Sequence, residues 1–114
     1  MRREMMKAKL HRARVTGADK AYEGSLSVGT DLLEASGIDP YERVQVVNVT
    51  NGERLETYVI EGDEGEMRLN GAAARRGREG DVVIVINYGR FGPDEEPDPT
   101  VVKLGEGNEI RSVE

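Results

Sequence analysis

Cysteine is absent from this 114-residue chain and histidine occurs once, at His11. The first absence excludes disulfides, thiolate nucleophiles and cysteine-bound metals. Together the two leave no donor set for a structural zinc ion, and no metal is expected. No apolar stretch follows the charged N-terminal run Met1-Arg2-Arg3-Glu4-Met5-Met6-Lys7. Neither a signal peptide nor a membrane span is therefore expected there, and a cytoplasmic protein is the default. Positive charge is also in deficit: 16 Lys and Arg stand against 22 Asp and Glu, a net charge of -6. That balance argues against nucleic acid or an anionic membrane as partner. There is no internal repeat, heptad pattern or low-complexity tract. At 12.6 kDa the chain suits a single domain, residues 1–114, too small to divide cofactor and substrate between two domains.

Charge is nevertheless uneven. Arg2, Arg3, Lys7, Lys9, Arg12 and Arg14 face only Glu4 in the first 14 residues, so a local anion site can exist on an acidic protein. Residues 5–16 alternate as a strand, with Met6, Ala8 and Leu10 on one face and Lys7, Lys9, His11, Ala13 and Val15 on the other. Gly17-Ala18-Asp19-Lys20 breaks this pattern, and Tyr22-Glu23-Gly24-Ser25 leads into an extended Leu26-Ser27-Val28. Thr30 is placed to cap a short helix through Ser36, stopped by Gly37. Valines 44, 46, 47 and 49, then Asn51-Gly52, then Leu55 to Ile60 read as a hairpin closed by a type I′ turn. Alternation puts Arg54 and Tyr58 on one face of the returning strand and Thr57 on the other. After a brief strand at residues 67–69, Asn70-Gly71 makes a turn, and Ala72-Ala73-Ala74-Arg75-Arg76 forms one helical turn stopped by Gly77. Val82 to Ile86 is a β-branched run expected to be buried on both faces. The acidic, proline-rich stretch 92–99 is an exposed loop; residues 100–104 form a last strand, and the polar tail frays. Many short strands, glycine turns and one or two small helices define an all-β, closed-barrel class.

Each chemically suggestive residue also has an ordinary reading. Gly24-Ser25 is common turn material. Its reactive reading has the Ser25 hydroxyl attack the Gly24 carbonyl, with glycine supplying backbone freedom and Thr57 or Asn70 supplying donors to the oxyanion. Lys9 and His11 can be a solvated strand edge, or a cation and a proton carrier for an acidic substrate. Arg54 and Tyr58 can be a cross-strand pair, or a carboxylate fork and a general acid. Asn70-Gly71 and the alanines after it can be tight packing, or room for a substrate beside exposed backbone amides.

Taken in order, Lys9-Leu10-His11-Arg12, Tyr22-Glu23-Gly24-Ser25, Asn48-Val49-Thr50-Asn51-Gly52, Arg54 with Thr57-Tyr58, Asn70-Gly71-Ala72-Ala73-Ala74 and Gly80-Asp81 resemble the aspartate 1-decarboxylases. The similarity runs from about Met5 to Tyr88. It implies a double-psi β-barrel, a homotetramer with active sites between subunits, and a proenzyme cut between Gly24 and Ser25 into residues 1–24 and 25–114. It further implies conversion of L-aspartate to β-alanine and carbon dioxide for pantothenate synthesis, through an imine with a pyruvoyl group made autocatalytically from Ser25. By matching position, Tyr58 becomes the proton donor, and Arg54 and Lys9 the charged binding groups, with Gly71 and Ala72 lining the substrate site. Thr57 and Asn70 assist processing, with His11 and Tyr22 nearby; a helper protein for maturation is left open. Val47 stands where some members carry tryptophan, and Arg75 where some carry histidine. The rival expectation is a non-enzymatic barrel that binds a partner, or an unprocessed relative.

Overall fold

Glycine turns and β-branched runs resolve into nine strands in the computed structural model, which describes residues 1–114. They are β1 Arg3–Arg14, β2 Gly17–Asp19, β3 Ser25–Gly29, β4 Arg43–Asn48, β5 Arg54–Gly62, β6 Met67–Asn70, β7 Val82–Phe91, β8 Thr100–Leu104 and β9 Ile110–Val113. One helix, α1 Thr30–Ser36, follows β3, and 3₁₀ turns occupy Gly71–Arg75 and Glu106–Asn108. The strands hydrogen-bond in the order β2-β6-β3-β5-β4-β7-β1-β8-β9. This is the all-β class expected, with one short helix and mixed parallel and antiparallel pairings, as a double-psi barrel requires. Leu10, Leu26, Leu32, Ile38, Val59, Met67 and Leu69 are among the side chains fully sealed in one core. Removal of their apolar surface from water is the main stabilising term.

Strand β1 departs from simple alternation. Ala8 and Leu10 are buried as expected, but so are Ala13 and Val15, which parity assigns to the opposite face. Arg12 adopts φ 63°, and the pairing of β1 with β7 slips between Leu10 and Ala13. This bulge inserts a residue and inverts the parity, so both halves of β1 feed the core. Beyond β1, Thr16 N–H donates to Met67 O at 2.8 Å and Met67 N–H to Thr16 Oγ1 at 2.9 Å. These bonds tie the first strand's exit to β6.

The hairpin of β4 and β5 is present with Arg43 opposite Tyr58 and Val47 opposite Arg54. Its connection is not a two-residue type I′ turn. The strands end at Asn48 and Arg54, and only Gly52 in the loop has positive φ, at 79°. The Asn48 side chain organises the loop instead, Oδ1 accepting from Thr50 N at 2.9 Å and Asn51 N at 3.2 Å.

Other expectations shift by local chemistry. Gly29, not Thr30, is the N-cap residue of α1. Asp31 Oδ1 accepts from Gly65 N at 2.9 Å, so the acidic first turn serves a tertiary contact. Gly37 closes α1 in the left-handed conformation, φ 77°, as expected. Strand β7 is longer than its apolar run and buries one face only: Val83, Val85 and Asn87 are sealed while Ile84 and Ile86 are half-buried. The C-terminal tail does not fray. Strand β9 pairs with β8, Val102 opposite Val113, and Glu114 N–H donates to Val101 O at 2.8 Å. No helix is long and apolar enough to cross a membrane.

Candidate active site

Asn70 ends β6, and the antiparallel register sets it directly opposite Ser25, the first residue of β3. Both are sealed from solvent, each 1% exposed. The Asn70 amide nitrogen donates to Ser25 Oγ at 3.0 Å and to Ser27 Oγ at 2.9 Å. Residues 25 and 27 share a sheet face because strand side chains alternate, so one amide holds two hydroxyls. While accepting one Asn70 hydrogen, Ser25 Oγ directs its own proton to Glu23 O at 3.4 Å. The parallel register of β3 on β5 sets Leu26 opposite Val59. Ser25 and Tyr58 lie one step earlier, on a common sheet face.

Gly71, immediately after Asn70, has φ 64°. A Cβ there would lie 2.6 Å from Gly24 N and 2.7 Å from both Gly24 Cα and Tyr22 O. The bare backbone of Gly71 is thus the surface against which the Gly24-Ser25 segment is pressed. At Gly24 itself a Cβ would meet nothing within 4 Å, and this glycine is not among those with positive φ. The backbone freedom expected at Gly24 is exercised at Gly71.

A cleft of about 400 Å³ opens beside this segment, lined by Gly24, Arg54, Thr57, Ala72, Ala73 and Arg76, together with Leu55 and Glu56. Alanines at 72 and 73 keep its wall low, and of its charged lining Arg76 is paired with Glu53 and Glu56 with Arg43, so the uncompensated charge is that of Arg54. Ion pairs in the chain involve Lys7, Arg43, Arg68, Arg76 and Lys103, leaving the Arg54 guanidinium unclaimed. Of the residues singled out in the sequence, Gly24, Arg54, Thr57 and Ala72 meet here, with Ser25, Asn70 and Gly71 at its edge.

Lys9, His11 and Tyr58 do not line the cleft. Tyr58, 37% exposed, leans on Tyr41 with ring centroids 6.4 Å apart. Lys9 sits on β1 opposite Ile86 and Val101, four strands from β3 in the sheet order. His11 is half-buried beside Lys103, and its Nδ1 is sealed without a hydrogen-bond partner. Burial pushes its pKa below the usual 6.5, and the charges of Lys9, Arg12 and Lys103 push the same way. Tyr22 is exposed, 54%, and meets the site through its carbonyl.

Two contributors escape sequence reasoning. Ser27 is legible only as the second hydroxyl on Ser25's face. Arg76 has no signal in the sequence, since it caps the end of a 3₁₀ turn whose direction is set by tertiary contacts. One such contact is a buried polar tie: Asn48 Nδ2 donates to Arg76 O at 3.1 Å and to Asp81 Oδ2 at 3.0 Å. The Asn48 bond, then the Arg78 backbone N–H, hold the Asp81 carboxyl below its ordinary pKa. No cluster of metal-binding side chains is present.

A buried, amide-held serine thus lies beside a small cleft that carries an unpaired guanidinium, on an all-β scaffold. Residues 1–111 match the model of the aspartate decarboxylase family. The chain is 60% identical to an aspartate 1-decarboxylase of Haloquadratum walsbyi, over 96% of each chain. It is 55% identical to one of Desulfotalea psychrophila, over 99% of this chain and 98% of the other, and 49% identical to one of Ralstonia pickettii over the same shares. The chain belongs to the aspartate decarboxylase family, whose members are carboxy-lyases.

Proposed function

We propose that this protein is a pyruvoyl-dependent aspartate 1-decarboxylase that generates its own reactive group by cutting the Gly24-Ser25 bond. The observation that carries the reading is the Ser25 hydroxyl, sealed from water and held by Asn70 at the edge of the cleft that Gly24 and Arg54 line. Ser25 Oγ adds to the Gly24 carbonyl carbon, the C–N bond breaks, and its nitrogen takes the proton, leaving an ester. Loss of the Ser25 Cα proton then expels Oγ with the Gly24 carboxylate. Hydrolysis of the resulting enamine releases ammonia and leaves a ketone at the new N-terminus. Thr57, which lines the cleft with Gly24, supplies a donor to the oxyanion. The residues fit such a group: Ser25 is buried, Asn70 fixes it, and Gly71 leaves its segment room only because it has no Cβ.

That group supplies an electrophilic carbonyl to capture the substrate amine and draw off the electron pair left by decarboxylation. The chain's own residues do the rest. Arg54 binds the carboxylate that is retained, because a tight pair to the departing one would stabilise the ground state more than the transition state. Tyr58, on Ser25's sheet face, delivers a proton from Oη to the carbon that has lost carbon dioxide. Lys9 and His11 lie away from the cleft of their own chain, which supports a site completed by a neighbouring subunit of a homo-oligomer.

The test is direct. Purified protein given L-aspartate forms β-alanine and carbon dioxide, and borohydride added with the substrate abolishes turnover. A preparation without β-alanine formation or a borohydride-reactive carbonyl supports the non-enzymatic alternative.

A further inference from the structure

Arg76 is anchored at both ends of its reach. Its carbonyl accepts from Asn48 Nδ2 at 3.1 Å and from Asn51 Nδ2 at 3.0 Å, and its N–H donates to Ala73 O at 3.0 Å. From this fixed base its Nη1 crosses to β5, donating to Glu53 Oε1 at 2.8 Å and to the Arg54 carbonyl at 3.1 Å. The side chain therefore joins the two walls of the cleft, the alanine turn and the start of β5, while lining it.

Stability does not explain this arrangement. The Arg76 and Glu53 side chains are 51% and 46% exposed, and ion pairs at such exposure contribute little to folding. The electrostatic consequence is larger. Glu53 precedes Arg54 in sequence, and a carboxylate free to turn toward that guanidinium would compete with an acidic substrate for the same fork. We propose that Arg76 is a positioning residue for substrate binding: it pins the Arg54 backbone and occupies the Glu53 carboxylate, leaving the Arg54 guanidinium free for the substrate's retained carboxylate. The assignment rests on the cleft being the aspartate site.

The experiment compares steady-state kinetics of fully processed parent, Arg76→Gln, Arg76→Lys and the double variant Arg76→Gln with Glu53→Gln. Processing is checked by mass in each. Arg76→Gln raises KM for L-aspartate by about fivefold or more with kcat within about twofold, the signature of binding lost equally from ground and transition states. Arg76→Lys keeps the charge and enough N–H donors for both acceptors, but on a shorter side chain without the planar fork, and gives an intermediate KM. Removing the freed carboxylate in the double variant returns KM toward the parent value, a rescue that loss of packing alone would not show. An active parent with an unmoved KM in Arg76→Gln, a fall in kcat alone, or no rescue by Glu53→Gln overturns the assignment to Arg76. A parent that forms no β-alanine refutes the decarboxylase reading itself, and the role of Arg76 with it.

Discussion

Asn70 and Ser25 face each other across an antiparallel strand pair, joined by a 3.0 Å bond from the Asn70 amide to the Ser25 hydroxyl. The same amide spends its second hydrogen on Ser27, so the position of the hydroxyl is fixed by a side chain that is itself fixed. On the proposed self-cleavage, processing would depend on an amide group that takes no part in bond making.

Asn70→Ala removes both donors and leaves two sealed hydroxyls short of a partner. The expected cost is about 1–3 kcal/mol of stability, with self-cleavage slowed well beyond that of Ser27→Ala. A gel time course of the two variants, with thermal melts alongside, measures both effects. Equal cleavage rates for Asn70→Ala and parent would remove Asn70 from the processing machinery.

Gly71→Ala puts a methyl against Gly24 N and Tyr22 O on a backbone at φ 64°. Holding a residue with a side chain in this region costs about 1–3 kcal/mol, and the collision displaces the bond to be cut. The variant should melt lower and stay uncut, whereas Gly24→Ala, with open space at its Cβ, should melt close to parent. A stable, fully cut Gly71→Ala would contradict the packing described.

Arg54→Ala should be processed normally yet need far more aspartate, or lose activity. Its guanidinium lines the cleft but belongs to no internal ion pair, so the loss falls on substrate and not on the fold. Normal turnover of aspartate by this variant would withdraw the binding role.

His11 titrates below 6.5 because burial and three neighbouring cations disfavour its charged form. Unfolding restores the ordinary value, so the unfolded chain binds the proton more readily between the two pKa values. The stability contribution is complete above pH 6.5 and is lost as pH falls through the folded pKa. As the only histidine, His11 gives one unambiguous ring resonance by NMR, and Lys9→Gln should move its midpoint upward. A midpoint at or above 6.5 in the parent would refute this account of its surroundings.

The hairpin faces of Arg54, Thr57 and Tyr58 were legible because strand alternation is local and uninterrupted there. Ala13 and Val15 were not, since one left-handed residue, Arg12, reverses the parity of the end of β1 and of the residue that follows it. The turn at Asn51-Gly52 misled for a different reason: Asn48 supplies side-chain bonds that compete with the tighter turn. In the site, Ser25, Gly24 and Asn70 could be singled out by residue type and order. Their partner Ser27 required knowing which strand lies opposite β3, and Arg76 required knowing where the residue that caps a 3₁₀ turn points its side chain.

Intact mass under denaturing conditions tests the central claim most directly. The account predicts two polypeptides, residues 1–24 and 25–114, the larger lighter by one ammonia than a fragment beginning with serine. Ser25→Ala should give one uncut chain. A purified parent that is a single chain of 114 residues, or one cut at this bond with serine intact, would contradict it.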